Sequence, residues 1–122
     1  MYYQNLPLYL KLNVLLKKLY LIIHQLPKEY KFSLGHDLVN KNWLLVDLFI
    51  EAQTGTENKI KTIAIISRNF DQLKIRIRFL SELKLISLGQ YTELNLITNE
   101  IGKMIGSWMK FGARVPAAKT IV

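Results

Sequence analysis

Residues 57–84 constrain the fold of this chain more than any other stretch. Their apolar side chains recur at alternating steps of three and four, the spacing of a helix seam buried against other helices. The seam consists of Ile63, Ile66, Phe70, Leu73, Ile77 and Leu80. A helix over this range is about 42 Å long at 1.5 Å per residue. The sequence therefore predicts a long central helix within a helical bundle.

Three further segments repeat this spacing, so the sequence predicts an all-α protein. They cover about residues 8–26, 34–53 and 88–110, which makes residues 57–84 the third of four helices. The connections between them are short, and consecutive helices joined by short connections are antiparallel neighbours. We therefore expect an up-down-up-down four-helix bundle.

Local signals set the predicted helix ends. Pro27 ends the first helix, because the residue before a proline is pushed out of the helical conformation. Ser33 is expected to cap the second helix and Thr56 the third, each accepting a backbone N–H bond. Gly102 and Gly106 lie one turn apart in the fourth helix, where each glycine costs about 1 kcal/mol relative to alanine. The pair indicates either a close backbone approach or an inserted group from a partner.

A second apolar stripe runs along the third helix, on the side away from its seam. It consists of Ile65, Ile75, Phe79 and Leu83, together with Gln72. Single apolar residues are common on protein surfaces, but a stripe of four is typical of a contact with another chain. We expect these five residues to form an oligomer interface, with ordinary surface exposure as the alternative.

The chain is strongly basic, with 17 Lys and Arg against 9 Asp and Glu and a net charge of +8. Such a balance suits a nucleic acid, an anionic membrane or an acidic protein partner. On the third helix, Lys74, Arg76 and Arg78 are expected to be almost uncompensated, because only Asp71 and Glu82 lie near them in the sequence. The predicted nucleic-acid contacts are Lys74, Arg76, Arg78, Arg68, Lys84, Lys17, Lys18, Lys28 and Lys31. Binding through them would be electrostatic and sensitive to salt; the alternative is a solvated charged face.

Nothing in the sequence indicates catalysis or a bound cofactor. The chain has no cysteine, and His24 and His36 lack the spacing of metal ligands. Asp37, Asp47 and Glu51 fall on one helix and are interpreted as a solvated acidic strip. We therefore predict no catalytic residue, no metal and no cofactor.

Composition also bounds the organisation of the chain. Its 122 residues, 50% of them hydrophobic, suffice for one domain, which we place at residues 1–110, followed by a flexible tail at 111–122. Lysines interrupt the leucine-rich first helix, so no apolar run approaches the roughly 20 residues of a membrane span. No secretory signal pattern is present either. We expect a soluble, cytoplasmic protein that binds no membrane.

Two segments resemble a known group of four-helix-bundle proteins. Residues 26–35, LPKEYKFSLG, are similar to the F-P-K-x-x-R-F-x-L-G segment of a group that includes the 23S rRNA intervening-sequence proteins. Residues 73–110 resemble the accessory variability determinant (Avd) proteins of diversity-generating retroelements, in which an L-R-x-L-x-R-L-like helix, an x-Q-Y segment and E-I-G-x-x-I-G-G-W recur. The matching residues of the fourth helix are Glu100, Gly102, Gly106 and Trp108.

The resemblance has exceptions. Leu26 stands where the group has Phe, Lys31 where it has Arg, and Ser107 where it has Gly. Residues 46–51 read VDLFIE in place of the N-I-x-E-G segment typical of the rRNA-associated proteins. This difference favours the retroelement branch.

Similarity to the Avd proteins implies a basic four-helix bundle assembled as a barrel-like homopentamer. It also implies binding to the element's reverse transcriptase and to RNA or DNA, so that a template RNA is copied with errors at adenines into a variable gene. Arg76 and Arg78 correspond to the family's basic residues in the third helix. The alternative is a generic four-helix-bundle module, of the rRNA intervening-sequence type, that binds an acidic protein or RNA.

Overall fold

Four long helices make up the part of the chain that the structure, a computed structural model, describes. It describes residues 6–55 and 58–114, with their side chains up to residue 110. The first helix, α1, is Pro7–His24; α2 lies between residues 28 and 54; α3 is Lys59–Glu82; and α4 is Leu88–Arg114. The described residues contain no strand, so the all-α prediction is confirmed.

Neighbouring helices run antiparallel, and the four helices pack side by side around one core. α1 packs against α2 and α4, and α3 packs against the same two helices, so α1 and α3 lie diagonally opposite each other. Lys11 pairs with Glu100 and Lys18 with Glu93, which shows that α1 and α4 run in opposite directions. The described chain is therefore an up-down-up-down bundle.

The seam of α3 is buried at the centre of the bundle. All six of its residues are at most 2% exposed. The apolar positions predicted for the first helix are buried, at Leu8, Leu12, Leu15, Leu19 and Ile22 of α1 and at Leu26, which follows the end of α1 at His24. Each such side chain contributes about 1.5–3 kcal/mol when it leaves water, so this core supplies most of the driving force for folding.

α2 begins earlier than predicted and is built in three parts. It starts with an α-helical turn at Lys28–Tyr30, passes through a π-helical turn at Lys31–Gly35 and continues as a regular helix at His36–Thr54. The prediction that Ser33 caps this helix is wrong: its hydroxyl donates backwards to the carbonyl of Glu29 at 2.7 Å. Serine suits both roles, because its oxygen bonds to nearby backbone groups in caps and within helices alike.

Gly35 allows the π-helical turn to pack closely against α1. A Cβ atom at Gly35 would lie 2.9 Å from Ile23 Cγ2 and 3.3 Å from the carbonyl oxygen of Tyr30. The backbone of Gly35 is ordinary right-handed helix, with φ −61°. Space, rather than backbone conformation, is therefore the reason for glycine at this position.

Side chains cap the starts of α3 and α4. The Lys61 backbone N–H donates to the side-chain oxygen of Asn58 at 3.1 Å. The cap predicted from sequence, Thr56, lies outside the described residues. At the start of α4, Ser87 and Gln90 bond to each other's backbone N–H at 2.9 and 3.1 Å, which is a capping box.

α4 is longer than predicted, and it has open space beside Gly106. It continues to Arg114, past the expected end at residue 110, and residues 115–122 of the expected tail lie outside the described chain. A Cβ atom at Gly102 would meet Phe70 Cε2 at an ordinary 3.5 Å, and one at Gly106 would meet nothing within 4 Å. A close backbone approach is therefore wrong for the described residues, and an inserted partner group stays a prediction.

Asn42 interrupts the apolar core on α2. It is fully buried, and neither its side-chain oxygen nor its nitrogen makes a hydrogen bond to a described residue. Thr98 is also buried, but its hydroxyl donates to the carbonyl of Asn95 at 3.2 Å. An unpaired buried polar group destabilises a fold by about 1–3 kcal/mol.

We expect Gly35→Ala and Gly106→Ala to change stability in opposite directions. Both gain about 1 kcal/mol in helix propensity, but only Gly35→Ala must fit a methyl group against Ile23, which costs about 1–3 kcal/mol. Gly106→Ala should therefore raise the free energy of unfolding, and Gly35→Ala should lower it by up to about 2 kcal/mol. Urea unfolding followed by circular dichroism, at one protein concentration, measures both. Equal stabilisation by the two variants would contradict the packing at Gly35.

Asn42→Leu should stabilise the bundle by about 1–3 kcal/mol, because it replaces an unpaired buried amide with an apolar side chain of similar size. The matched control is Thr98→Val, which removes a buried hydroxyl that already has its bond and should not stabilise. Thermal unfolding of the two variants beside the wild type provides the comparison. A lower melting temperature for Asn42→Leu would mean that this amide is satisfied in solution.

Candidate nucleic-acid interface

The burial of the seam distributes the basic residues of α3 over different sides of the helix. Lys74 and Arg78 lie on the flank that meets α4, and Arg76 lies on the flank that meets α2. Arg68 is exposed between these flanks. Lys74 and Arg78 are one turn apart and share a face. One copy of the chain therefore offers two cations on the α4 side and no continuous basic stripe along α3.

The candidate site is an open groove between α3 and α4, with a volume of about 490 Å³. Its lining consists of Asp71, Lys74, Ile75, Ile77, Arg78, Tyr91, Asn95, Thr98 and Asn99. The Lys74 ammonium lies 3.6 Å from an Asp71 carboxylate oxygen and 5.2 Å from the centre of the Phe70 ring. Arg78 is exposed and makes no ion pair with a described residue. The groove thus offers one tethered cation and one free cation.

The α4 wall of the groove carries two amides that the charge pattern does not predict. Asn95 and Asn99 lie one turn apart, and Tyr91 lies one turn before them. Neither amide side chain makes a hydrogen bond to another described residue. The spacing of four residues between Tyr91, Asn95 and Asn99 is the sequence signal from which this wall could have been predicted. A search for cations misses it, because amides are uncharged.

Arg76 is compensated, contrary to the prediction. Its Nε donates to the Asp37 carboxylate of α2, and its Nη1 donates to the carbonyl of Gln72 at 3.0 Å. Asp37 lies 39 residues away in the chain, so comparison of neighbours along α3 could not find it. Arg76 therefore joins α2 to α3, and its guanidinium is already engaged within the bundle.

The remaining predicted cations are spread over the bundle. Lys18 pairs with Glu93 of α4 at 2.6 Å. Lys84 follows the end of α3, in a left-handed conformation with φ 59°. The predicted cations without an ion pair to a described residue are Lys17, Lys28, Lys31, Arg68, Arg78 and Lys84. The nine predicted contacts therefore do not form one surface on one copy of the chain.

The second apolar stripe of α3 is exposed over most of its length. Ile75, Phe79 and Leu83 are 56%, 52% and 48% exposed, and Ile65 is partly buried. Gln72 is exposed, and its side-chain oxygen accepts a bond from Lys41 of α2 at 2.7 Å. A single copy of the chain thus leaves the predicted interface uncovered.

α1 carries an exposed apolar stripe that the sequence analysis did not identify. Leu10, Val14 and Leu21 are 51%, 40% and 65% exposed, and Lys17 lies among them. α1 is apolar nearly all round, and spacing alone does not then show which stripe faces the core. Because α1 and α3 are diagonal in the bundle, their exposed stripes face opposite sides.

The described residues contain no group of three or more His, Cys, Asp and Glu side chains that could hold a metal ion. His24 and His36 are both exposed, on different helices, and the His36 ring bonds to the Asn40 amide at 2.9 Å. Within residues 6–55 and 58–114, every helix is too short or too polar to span a bilayer.

Comparison with models of known families gives a match over most of the bundle. The model described as bAvd-like matches residues 8–112. The chain belongs to the bAvd-like family. The resemblance found in the sequence is thereby confirmed, and the family is an accessory, non-catalytic kind of protein associated with diversity-generating retroelements. A comparison with curated protein sequences found no match.

Proposed function

We propose that this bAvd-like chain is a non-catalytic accessory protein that binds the reverse transcriptase of a diversity-generating retroelement together with its template RNA or cDNA. It acts in the cytoplasm as a homopentamer whose basic surface is assembled from several subunits. The observation that carries the proposal is the α3–α4 groove, where Lys74 and Arg78 share one face in a chain of net charge +8. Support for the reverse transcriptase as partner comes from family membership.

The distribution of unpaired cations favours nucleic acid bound across subunits. Six predicted contact residues make no ion pair with a described residue, and they lie on different sides of the bundle. Repetition of the chain around a ring places several copies of each cation along one surface. A nucleic acid crossing that surface releases counterions at each phosphate contact, which makes binding strong at low salt and weak at high salt.

The two exposed apolar stripes favour head-to-tail assembly. They lie on α1 and α3, which are diagonal, so they face away from each other. A two-fold dimer would use one self-complementary patch, whereas a ring joins two different patches of successive subunits. Exposed stripes on two different helices thus favour head-to-tail assembly, and both the closure of the ring and the number five come from the resemblance to Avd proteins.

Removing the groove cations should weaken RNA binding and flatten its salt dependence. We expect the double variant Lys74→Ala/Arg78→Ala to reduce the slope of log affinity against log salt by about 0.7 for each lost phosphate contact to a single strand. Fluorescence anisotropy with a labelled RNA, repeated across a salt series, measures affinity and slope together.

The matched control for that experiment is Lys11→Ala/Lys18→Ala. It also removes two positive charges, but both lysines form ion pairs with glutamates of α4. The salt slope should therefore stay closer to that of the wild type. If the groove variant binds RNA with unchanged affinity and slope, Lys74 and Arg78 are not the binding surface. Salt-sensitive binding of an acidic protein, without RNA binding, would favour the generic interaction module.

The apolar stripes should control assembly. We expect Phe79→Lys on α3 and Leu21→Lys on α1 each to prevent ring formation, because each places a charge in a contact that excludes water. In a head-to-tail assembly, a mixture of the two variants should form heterodimers, since each retains one intact stripe. Light scattering coupled to size exclusion measures the masses, with Leu96→Lys, an equally exposed site on α4, as control. A monomeric wild type at micromolar concentration would contradict the proposed assembly.

A further inference from the structure

We propose that the α3–α4 groove binds one unpaired nucleotide of a single strand and contacts its base as well as its phosphate. This inference rests on the proposed function for the identity of the ligand class. It goes beyond electrostatic binding, because it assigns the groove a preference among bases. This preference would come from the uncharged residues of the groove together with Asp71.

The groove has the volume of a small-ligand site. Its volume of about 490 Å³ lies within the range of about 300–1,000 Å³ typical of sites for small organic ligands. Two adjacent helices form its walls. A base that has left its stack can enter, and single strands present such bases.

The α3 wall can hold a phosphate. Lys74 and Arg78 share one face, one turn apart, and Arg78 is exposed and has no ion pair with a described residue. A guanidinium donates two parallel bonds to phosphate oxygens, and an ammonium acts as a point charge. The Phe70 ring and Asp71 hold Lys74 at the groove. The phosphate would therefore lie on the Arg78 side, away from the Asp71 carboxylate.

The α4 wall can contact a base. Each of Asn95 and Asn99 presents a donor and an acceptor in one plane, and neither side chain bonds to another described residue. Base edges carry the same alternation of donors and acceptors. Tyr91 supplies an aromatic surface at the groove, and bases stack on aromatic side chains. A surface that bound phosphates alone would need none of these residues.

Asp71 would determine which bases the groove prefers. Its carboxylate lies in the groove and can only accept hydrogen bonds when ionised. Adenine, cytosine and guanine carry exocyclic amino groups that donate to such an acceptor. The ring N3–H of uracil and thymine also donates, but it lies between two carbonyl oxygens, which repel a carboxylate. The carboxylate therefore favours an amino-bearing base and repels a second phosphate. We expect uracil to be the least favoured base in this groove.

The test measures binding of labelled oligo(A), oligo(C) and oligo(U) by anisotropy at one salt concentration. Wild type should bind oligo(U) about fivefold more weakly than oligo(C), the effect of one hydrogen bond. Asp71→Asn should reduce this discrimination, because an amide can also donate to a uracil oxygen. Asn95→Ala/Asn99→Ala should weaken binding of oligo(A) and oligo(C) without changing the salt slope. The control is Asn40→Ala, an exposed helical asparagine on α2, which should change neither quantity.

The possible outcomes separate this inference from the proposed function. Equal binding of the three oligonucleotides by the wild type would overturn the base contact and leave nucleic-acid binding in place. Discrimination that persists unchanged in Asp71→Asn and in Asn95→Ala/Asn99→Ala would likewise overturn it, since the preference would then arise elsewhere. Failure to bind any oligonucleotide would overturn both proposals.

Discussion

The burial of six apolar side chains on α3 determines the arrangement of the surface of this protein. Once Ile63, Leu73 and Leu80 point into the core, the rotation of α3 about its own axis is fixed. With that rotation, Lys74 and Arg78 lie beside α4, Arg76 lies beside α2 and the apolar stripe is exposed to solvent. The seam thus determines both the stability of the bundle and the direction in which each cation of α3 is presented.

The core could be predicted from the sequence because it depends on a local repeat. Apolar spacing along one helix is sufficient to find the residues that leave water, and the seams of α1 and α3 are buried as expected. The exposed stripe of α3 follows from the same spacing. These features require no knowledge of the neighbouring helices.

The site could be predicted only in part, because it depends on pairs of helices. Lys74 and Arg78 are visible as a pair one turn apart, but their partners across the groove, Asn95 and Asn99, come from α4. The ion pair of Arg76 with Asp37, 39 residues away, depends on the relative rotation of α2 and α3. Periodicity within one helix contains no information on this rotation, so it does not predict hydrogen bonds and ion pairs between helices.

α4 departs most from what stability alone would select. On the flank that faces α3 it carries two amides and one glycine, at Asn95, Asn99 and Gly102. Glycine and asparagine also have weaker helix propensities than alanine or leucine. Local choices that oppose stability are expected at functional sites. This flank is the α4 wall of the proposed binding groove.

The π-helical turn at Lys31–Gly35 has a consequence for how charge is distributed on such bundles. A turn with one additional residue shifts the phase of the helix by about 100°. Residues before it, such as Lys28, therefore point to a different side than an uninterrupted α2 would give them. Removal of one residue from this turn would reorient that cation while His36–Thr54 kept its register in the core. The π-helical turn therefore sets the direction of charge at this end of the bundle, where Tyr30 and Leu34 also pack against the core.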